Sequence, residues 1–492
     1  MSGTQKEDSS KGNDVEASAG TLEKDEDTNP YLVDWEGPND PECPMTWPLS
    51  KKVRQLAGMG VNSLLTPLSS SMFTPGEADV LAEFHNTNTT LGSFVVSIFL
   101  LGYVVGPLVI APLSEIYGRC RLYHICNTLF LIFTIACAVA QTLPQLFVFR
   151  FFAGVAGSCP MTLGSGTVAD LIPKEKRAGV MAIWAMGPVL GPVIGPIAGS
   201  FVCANIGWRW VFWIIAIATG VMLVATLFCY RETYSVVLLE RKAARLRKET
   251  GNEKYRSKFD RGIPQKEVFR LAGVRPFKLL FLSPIVLLMA LFGAVSYGYL
   301  YLMFTTITAI FEEVYGWRQE MCGLAYLGFG IGAIIGLQVS GYAANRIAAT
   351  HTAQGRFAPE SRLIPALYGS WLLPIGLFWY GWSAEKHVHW IMPIIGTGIF
   401  GAGLMCVFLS INTYLVDSYL LYAASVTAAN AVTRSLIGAL LPLAGPSMYS
   451  ALGLGWGNSL LAFIALAFCM FPIFYSRYGA RIRTSPRFQL NL

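Results

Sequence analysis

Apolar residues in this chain gather in runs of about twenty, each bounded by a short polar turn. A helix of that length crosses the hydrocarbon core of a bilayer. Twelve such spans are predicted, near residues 53–73, 91–112, 122–141, 145–169, 179–203, 209–230, 281–304, 320–343, 363–383, 389–413, 422–447 and 456–476. A polar segment at 231–276 divides six from six. The pattern predicts an all-α integral membrane protein of twelve transmembrane helices in two six-helix halves. The expected organisation is a disordered acidic tail (1–50), a first half (51–230), a basic linker with an amphipathic helix (231–276), a second half (277–476) and a basic tail (477–492).

One run breaks the usual rules for helices. Residues 187–199 read GPVLGPVIGPIAG. Gly187, Gly191, Gly195 and Gly199 recur every fourth residue, and Pro188, Pro192 and Pro196 follow the first three. Residues four apart share a helix face, so one stripe has no side chains and lets another backbone come close. Each proline removes an amide donor and crowds the carbonyl four residues back. Such a helix must be buried against a neighbour that re-satisfies the freed groups. Gly328, Gly332 and Gly336 of YLGFGIGAIIG repeat at the same interval in span 8. The two stripes are expected to meet between the halves.

Composition agrees with a membrane protein. The chain is 53% hydrophobic and only 14% charged, with a mean hydropathy of +0.48, too apolar for a soluble protein of 492 residues. The first fifty residues lack the apolar core of a signal peptide, so the first span is expected to direct insertion. The net charge of +7 is the sum of an acidic tail and basic loops and does not point to nucleic acid. Lys and Arg cluster in alternate loops (Arg119, Arg121, Lys174, Lys176, Arg177, the 231–276 segment, Arg346, Arg356, Arg362) and in the C-terminal tail (Arg477, Arg481, Arg483, Arg487). The opposite loops carry Glu77, Asp79, Glu83, Glu312, Glu313 and Glu320. The positive-inside rule then places both termini in the cytosol. The sequon at Asn88 falls in the first outer loop. The stretch 29–52 reads as an ordered lead-in along the membrane surface, and ERKAARLRKETG (240–251) as a basic helix, either on the anionic leaflet or solvated. Cysteines show no zinc-ligand spacing; Cys203 and Cys322 near the outer face are expected free, with a disulfide between them as the alternative.

An internal repeat is traced in the loops after spans 2 and 8, APLSEIYGRCR (111–121) and GYAANRIAAT (341–350). Several stretches resemble the major facilitator superfamily, in particular its twelve-span fungal drug:proton antiporter branch. Residues 111–119 are similar to the loop motif GxLaDRxGR, with Ala111, Glu115 and Ile116 replacing its Gly, Asp and first Arg. Residues 187–199 are similar to the span 5 motif of exporters, with Ser200 in place of its last Gly. IGWRWVFWI (206–214) and ETY (232–234) are also typical of that branch. The resemblance covers about residues 29–480 and implies the two-halved major facilitator fold. It also implies a substrate site between the halves near the midplane, an arrangement for which this same superfamily is a standing example.

Candidate chemistry is sparse. Arg150, inside span 4, costs about 2.5–3.5 kcal/mol in a bilayer unless partnered. It matches the family's RxxxG motif with Gly154, which implies a part in proton coupling; snorkelling to the headgroups is the alternative. Glu115, Gly118, Arg119 and Asp170 are placed at the inner ends of spans 2 and 4, where opposite charges can latch one state. Tyr297, Tyr301, Asn412, Asn430 and Arg434 are candidates for a substrate cavity suited to a flat, lipophilic, weakly polar molecule. No Asp or Glu lies in the middle of a predicted span, so the sequence does not offer a proton-carrying group. No Walker A, HExxH or nucleophile elbow occurs, which argues against ATP-driven transport and against an enzyme. The expectation is a monomeric exporter of small lipophilic compounds in the plasma membrane (alternatively a vacuolar or vesicle membrane). It would use no cofactor and draw energy from a proton gradient. An uptake permease or nutrient sensor on the same scaffold is the competing reading.

Overall fold

In the computed structural model, residues 31–37, 40–259, 265–355, 358–419 and 423–484 are described. The acidic tail before residue 31, and Arg356 and Arg487 among the basic groups named above, lie outside them. Span 1 is Leu49–Ser71, span 2 Thr89–Tyr117, span 3 Arg119–Ala138, span 5 Lys174–Ile206 and span 6 Arg209–Cys229. Span 4 is two helices, Leu143–Gly157 and Cys159–Leu171, stepped at Ser158. In the second half, span 7 is Pro284–Tyr315, span 10 Ile391–Ser418 and span 11 Ala423–Leu440. Span 8 joins Gln319–Cys322 to Tyr326–Ala353, and span 9 joins Ile364–Gly369 to Leu372–Glu385. Span 12 lies within Gly445–Thr484, a stretch interrupted at Gly453, whose φ is 74°.

Span 1 is less apolar than the rest because its buried face carries Asn62, Ser63, Thr66, Ser69, Ser70 and Ser71. It is absent from the ten stretches among the described residues that are long and apolar enough to cross a membrane; the last of these, Ser425–Ile482, holds both spans 11 and 12. Its polar face is turned towards other spans rather than lipid, which is why hydropathy understates it. The basic residues Arg477 and Arg481 extend the helix of span 12 rather than forming an irregular tail.

The repeat is plain in the packing. Span 1 packs on span 5, span 2 on span 4 and span 3 on span 6. The second half repeats this with 7 on 11, 8 on 10 and 9 on 12. The halves meet through spans 2 and 11 and through spans 5 and 8. The sequence trace for the repeat needs correction. GYAANRIAAT is still inside span 8, and the counterpart of the Arg119 turn is the 3-10 turn Pro359–Leu363, which holds Arg362.

The glycine stripes also have different neighbours from those expected. In span 5, a Cβ on Gly187 would lie 3.2 Å from the Gly60 carbonyl, and one on Gly191 2.8 Å from the Leu64 carbonyl. One on Gly195 would lie 2.9 Å from the Met72 amide, and Gly199 is pressed against the Met72 carbonyl. The stripe therefore faces span 1 of its own half. In span 8, Gly328, Gly332 and Gly336 press on Ile394, Gly398 and Ala402 of span 10. Spans 5 and 8 do meet across the seam, but through Val193 against Gly330 and through Pro196 and Ile197 against Gly323. The stripes serve the closest backbone contacts, and those lie within halves. The prolines do not break span 5, which runs unbroken over 33 residues. The Ser200 hydroxyl donates to the Pro196 carbonyl at 2.9 Å.

The lead-in is docked on the linker. β1 (Leu32–Val33) pairs in parallel with β2 (Arg256–Ser257). Lys242 of the linker helix Ser235–Thr250 bonds Glu36 (2.9 Å) and Asp40 (3.4 Å), Arg245 bonds Glu42, and Lys258 bonds Asp34. The acids of the lead-in thus neutralise part of the basic face that the sequence pattern offers to lipid. All ten cysteines are free, and Cys203 and Cys322 are not joined.

Replacing Gly191 by Val is expected to destabilise the first half by about 1–3 kcal/mol through overpacking against span 1. A Cβ on Gly179 meets nothing within 4 Å, so Gly179→Ala is the control. Thermal melting of the two purified variants should show a lowered midpoint for the first only.

Candidate functional site

Arg150 does not snorkel. It is 1% exposed. Its Nε donates to the Val95 carbonyl at 2.8 Å, and its two terminal nitrogens donate to the carbonyls of Ser69 (3.5 Å) and Ser70 (3.3 Å). The last two acceptors exist because span 1 ends at Ser71, and the final carbonyls of a helix lack intrahelical donors. Three rings, Phe73, Phe99 and Phe212, lie 5.1, 5.2 and 5.6 Å from the guanidinium carbon. Gly154, one turn on, lets span 4 press against the Phe99 carbonyl of span 2. This close approach explains the RxxxG spacing: the glycine seats the helix so that the arginine reaches spans 1 and 2 together. Arg150 thus ties spans 1, 2, 4 and 6 of the first half.

From there a polar link crosses to the second half. The Ser70 hydroxyl meets the Tyr301 hydroxyl of span 7 at 2.7 Å. The Tyr301 ring lies 5.1 Å from Tyr297 and 5.7 Å from Phe304. Arg434 lies over Tyr297 (4.7 Å) and over Phe408 (5.0 Å). Asn430 donates to Asn412 at 3.2 Å, and Asn412 donates to the Phe408 carbonyl at 2.8 Å. Four of the proposed cavity residues therefore fall around Tyr297 and Phe408, and Tyr301 joins them to span 1. Tyr103 of span 2 and Thr66 of span 1 close the group from the first half. Their hydroxyls are neighbours, yet neither has a partner within ordinary hydrogen-bonding distance. Neither residue is marked in the sequence, since one tyrosine and one threonine in apolar runs carry no signal.

A carboxyl that the sequence places among outer-loop charges is shut in at the outer end. After span 1 the chain turns through the buried residues Phe73, Thr74, Pro75 and Gly76 and enters the short helix Glu77–Glu83. Glu77 Oε1 accepts from the Ser93 hydroxyl of span 2 at 3.0 Å, and its Oε2 is buried without a partner. Burial raises its pKa from 4.5 to about 8, because a desolvated carboxylate is disfavoured against its neutral acid. Tyr326 of span 8 is an electrostatic neighbour of both Glu77 and Glu312, and Glu312 in turn faces Asp79. Ser93 is two residues from Val95, so Glu77 and Arg150 hold the same outer turn of span 2. Next to it, Gln319 of span 8 donates to the Pro75 carbonyl and to Asp79, both at 3.0 Å. With Gly323 on Ile197, these contacts close the Glu77 ends of the halves on one another.

The inner charges form a different cluster from the one expected. Arg119 Nε bonds Asp170 at 2.7 Å. Glu115 is exposed and takes no part. Its place is taken by Glu232 of the ETY stretch, which accepts from the amides of Arg119 (2.9 Å) and Cys120 (3.3 Å) at the start of span 3. It accepts also from the amides of Thr233 (3.0 Å) and Tyr234 (3.1 Å). A carboxylate at a helix N-terminus meets free amides and the positive end of the dipole. Gly118, at φ 92°, turns the chain into this cap, and a Cβ there would strike the Glu232 carboxylate. The second half repeats the pair: Arg362 Nε bonds Asp417 at 2.8 Å. Both pairs lie inside one half, and among the described residues no ion pair joins the two halves. They fix the inner ends of each half as a unit instead of latching one to the other.

Asn88 is exposed and caps span 2, its side-chain oxygen accepting from the Thr90 amide at 3.0 Å.

Comparison with known proteins agrees with this architecture. The sequence model of the Major Facilitator Superfamily matches residues 59–442. The chain is 54% identical over 463 residues to the MFS-type transporter penM of Penicillium rubens, covering 94% of this chain and 91% of that protein. It is 45% identical over 479 residues to the efflux pump radE of Floropilus chiversii, covering 97% and 89%. Among solved structures, the xylose transporter XylE of E. coli, in a partially occluded inward-open conformation, superposes with a TM-score of 0.66. It covers 87% of this chain and 98% of that one at 14% identity, a likeness of fold alone.

Arg150 and Arg434 are expected to respond differently to removal. Arg150→Gln strands the Ser69 and Ser70 carbonyls at the end of span 1, at about 1–3 kcal/mol for each group left unsatisfied. It should lower the melting temperature of purified protein markedly. Arg434→Gln breaks no hydrogen bond to a described residue and should melt close to wild type.

Proposed function

The chain belongs to the major facilitator superfamily, and from that premise we propose that it exports small lipophilic compounds, secondary metabolites or xenobiotics, by proton antiport with alternating access. It is a multi-pass membrane transporter and not an enzyme. The interior between the halves carries the reading of substrate. The rings of Tyr297, Tyr301, Phe304 and Phe408 supply its apolar surface. Such a surface suits a flat apolar skeleton; a sugar would need many more polar partners. The span 5 motif and the relative named as an efflux pump support the outward direction.

Alternating access needs two rigid bodies and a seam that opens. Gly187, Gly191, Gly195 and Gly199 bind span 5 to span 1, so the stripe moves with its half. The seam at Gln319 and Gly323 is closed here, and Glu77 lies beside it, an electrostatic neighbour of Tyr326 of span 8. Glu77 gives that closure a dependence on protons. Opening the outer ends would return its carboxyl towards the ordinary value, and uptake of a proton from an acid medium would favour closing again. Arg150, on the same turn of span 2, links this event to Ser70 and Tyr301 at the seam. The protein acts as a monomer in the plasma membrane with both termini in the cytosol, as the loop charges favour, and Asn88 is glycosylated on the outer face.

Proteoliposomes with an acid lumen should concentrate a neutral lipophilic dye beyond protein-free vesicles. A gradient of about two pH units supplies about 2.7 kcal/mol per proton, enough for about hundredfold accumulation at one proton per molecule. Equal uptake with and without the gradient would refute antiport.

The pH dependence of stability has a definite sign. Glu77 holds its proton more tightly in the folded, closed protein than in the unfolded chain. Its contribution is therefore full below pH 4.5 and is lost as pH rises to about 8. Wild-type melting temperature should fall across that window, and Glu77→Gln should flatten the fall. A glycosidase-sensitive band shift in protein from a eukaryotic host, absent in Asn88→Gln, checks the topology.

A further inference from the structure

Arg150 and Arg434 are both arginines set inside the bundle, yet their surroundings differ in kind. Arg150 is enclosed, with three carbonyls and three rings around one guanidinium. Arg434 is half-buried and has two rings, Tyr297 and Phe408. Its Nε is buried and makes no hydrogen bond. A guanidinium offers five N–H donors in a planar fork matched to a carboxylate. Among the described residues, none of those donors has an acceptor and no carboxylate pairs with the charge.

The location of this cation is as informative as its lack of a counter-charge. Its electrostatic neighbour in the first half is Tyr103, at the middle of span 2 (Thr89–Tyr117). Arg434 therefore stands near mid-depth, at the seam between the halves, out of reach of the headgroups of either leaflet. Beside it is the hydroxyl of Tyr103, with that of Thr66 next to Tyr103, and one turn earlier on span 11 is Asn430, whose amide oxygen is unpartnered. The remaining walls are the rings of Tyr297 and Phe408. A permanent cation in a medium of low dielectric is costly without a partner. An arriving anion would supply the missing acceptor and would bond Tyr103 and Thr66 as donors.

We propose that Arg434 is the docking point for an anionic group on the transported molecule, a carboxylate or an ionised enol or phenol at one end of a lipophilic skeleton. This rests on the export reading above and narrows its substrate class to lipophilic weak acids. The aromatic walls take the skeleton, and the guanidinium with its two hydroxyls takes the acid end. A neutral analogue leaves the cation unpaired, and a cationic compound is repelled. Recognition is then governed by the ionisation of the substrate.

The test uses purified full-length protein and two matched probes, 4-(1-pyrenyl)butyrate and its neutral carboxamide, with binding read from probe fluorescence. Wild type should bind the acid at least about tenfold more tightly than the amide, the least expected of one charge-assisted pair. In Arg434→Gln that ratio should fall towards one, and Arg434→Lys should restore part of it. Thermal melting checks that each variant is folded, and a purely structural role would weaken both probes together with the ratio unchanged. Equal wild-type affinity for the two probes, absence of acid binding, or a ratio that survives Arg434→Gln overturns the proposal. The dye experiment separates this from the export reading. Gradient-driven dye uptake without acid preference would leave export standing and remove the anion site. Acid preference without gradient-driven uptake would do the reverse.

Discussion

The structure depends on helices of one half approaching so closely that only glycine fits between them. Span 5 lies on span 1 through Gly187, Gly191, Gly195 and Gly199, and span 8 lies on span 10 through Gly328, Gly332 and Gly336. Gly154 and Gly102 do the same for spans 4 and 2. In lipid there is little hydrophobic force between helices, so backbone proximity and dispersion carry the association. These contacts make each half a firm body. Among the described residues, the seam between halves is built mainly from side chains, with one close glycine approach to backbone at Gly323, on the Glu77 side. A transporter needs this division, because motion is cheap only where packing is not interlocked.

Polar groups within the bundle follow the same division. Arg150 completes a half: it satisfies carbonyls that the end of span 1 leaves free, and it is caged by rings. Glu232 completes the inner end of that half by capping span 3. Buried polar atoms without a partner occur throughout both halves, and four of them, on Thr66, Tyr103, Asn430 and Arg434, belong to the group at the seam. Buried polar groups are normally satisfied, and a cluster of exceptions between two moving bodies is where a ligand would complete them. Glu77 is the corresponding exception at the outer closure, with one oxygen bonded to Ser93 and the other free.

Much of this is legible in the linear sequence, because the bilayer imposes a length and a polarity on every span. Twelve apolar runs, the six-and-six division, the family motifs and the charge asymmetry are all local properties of composition and spacing. Arg150 stands out because a charge in an apolar run has few acceptable environments. Glu77 and Glu232 do not stand out, since acids in loops are ordinary and only the folded chain shows that one is shut in and the other caps a helix. Nearness in sequence favours Glu115 over Glu232 as the neighbour of Arg119, whereas the turn at Gly118 points the amides of span 3 towards residue 232.

The sequence by itself determined the class of protein, the number and order of its spans and the glycine faces that demand a close neighbour. It could not say which neighbour, because a face without side chains fits any backbone equally well. Tertiary structure decided that span 5 faces span 1 and span 8 faces span 10, and that Arg119 and Asp170 join within a half. It also decided that Arg150 is enclosed while Arg434 is left with unused donors at the seam. Such pairings arise between residues distant in the chain, and they follow from the joint packing of twelve helices rather than from the pattern of any one of them.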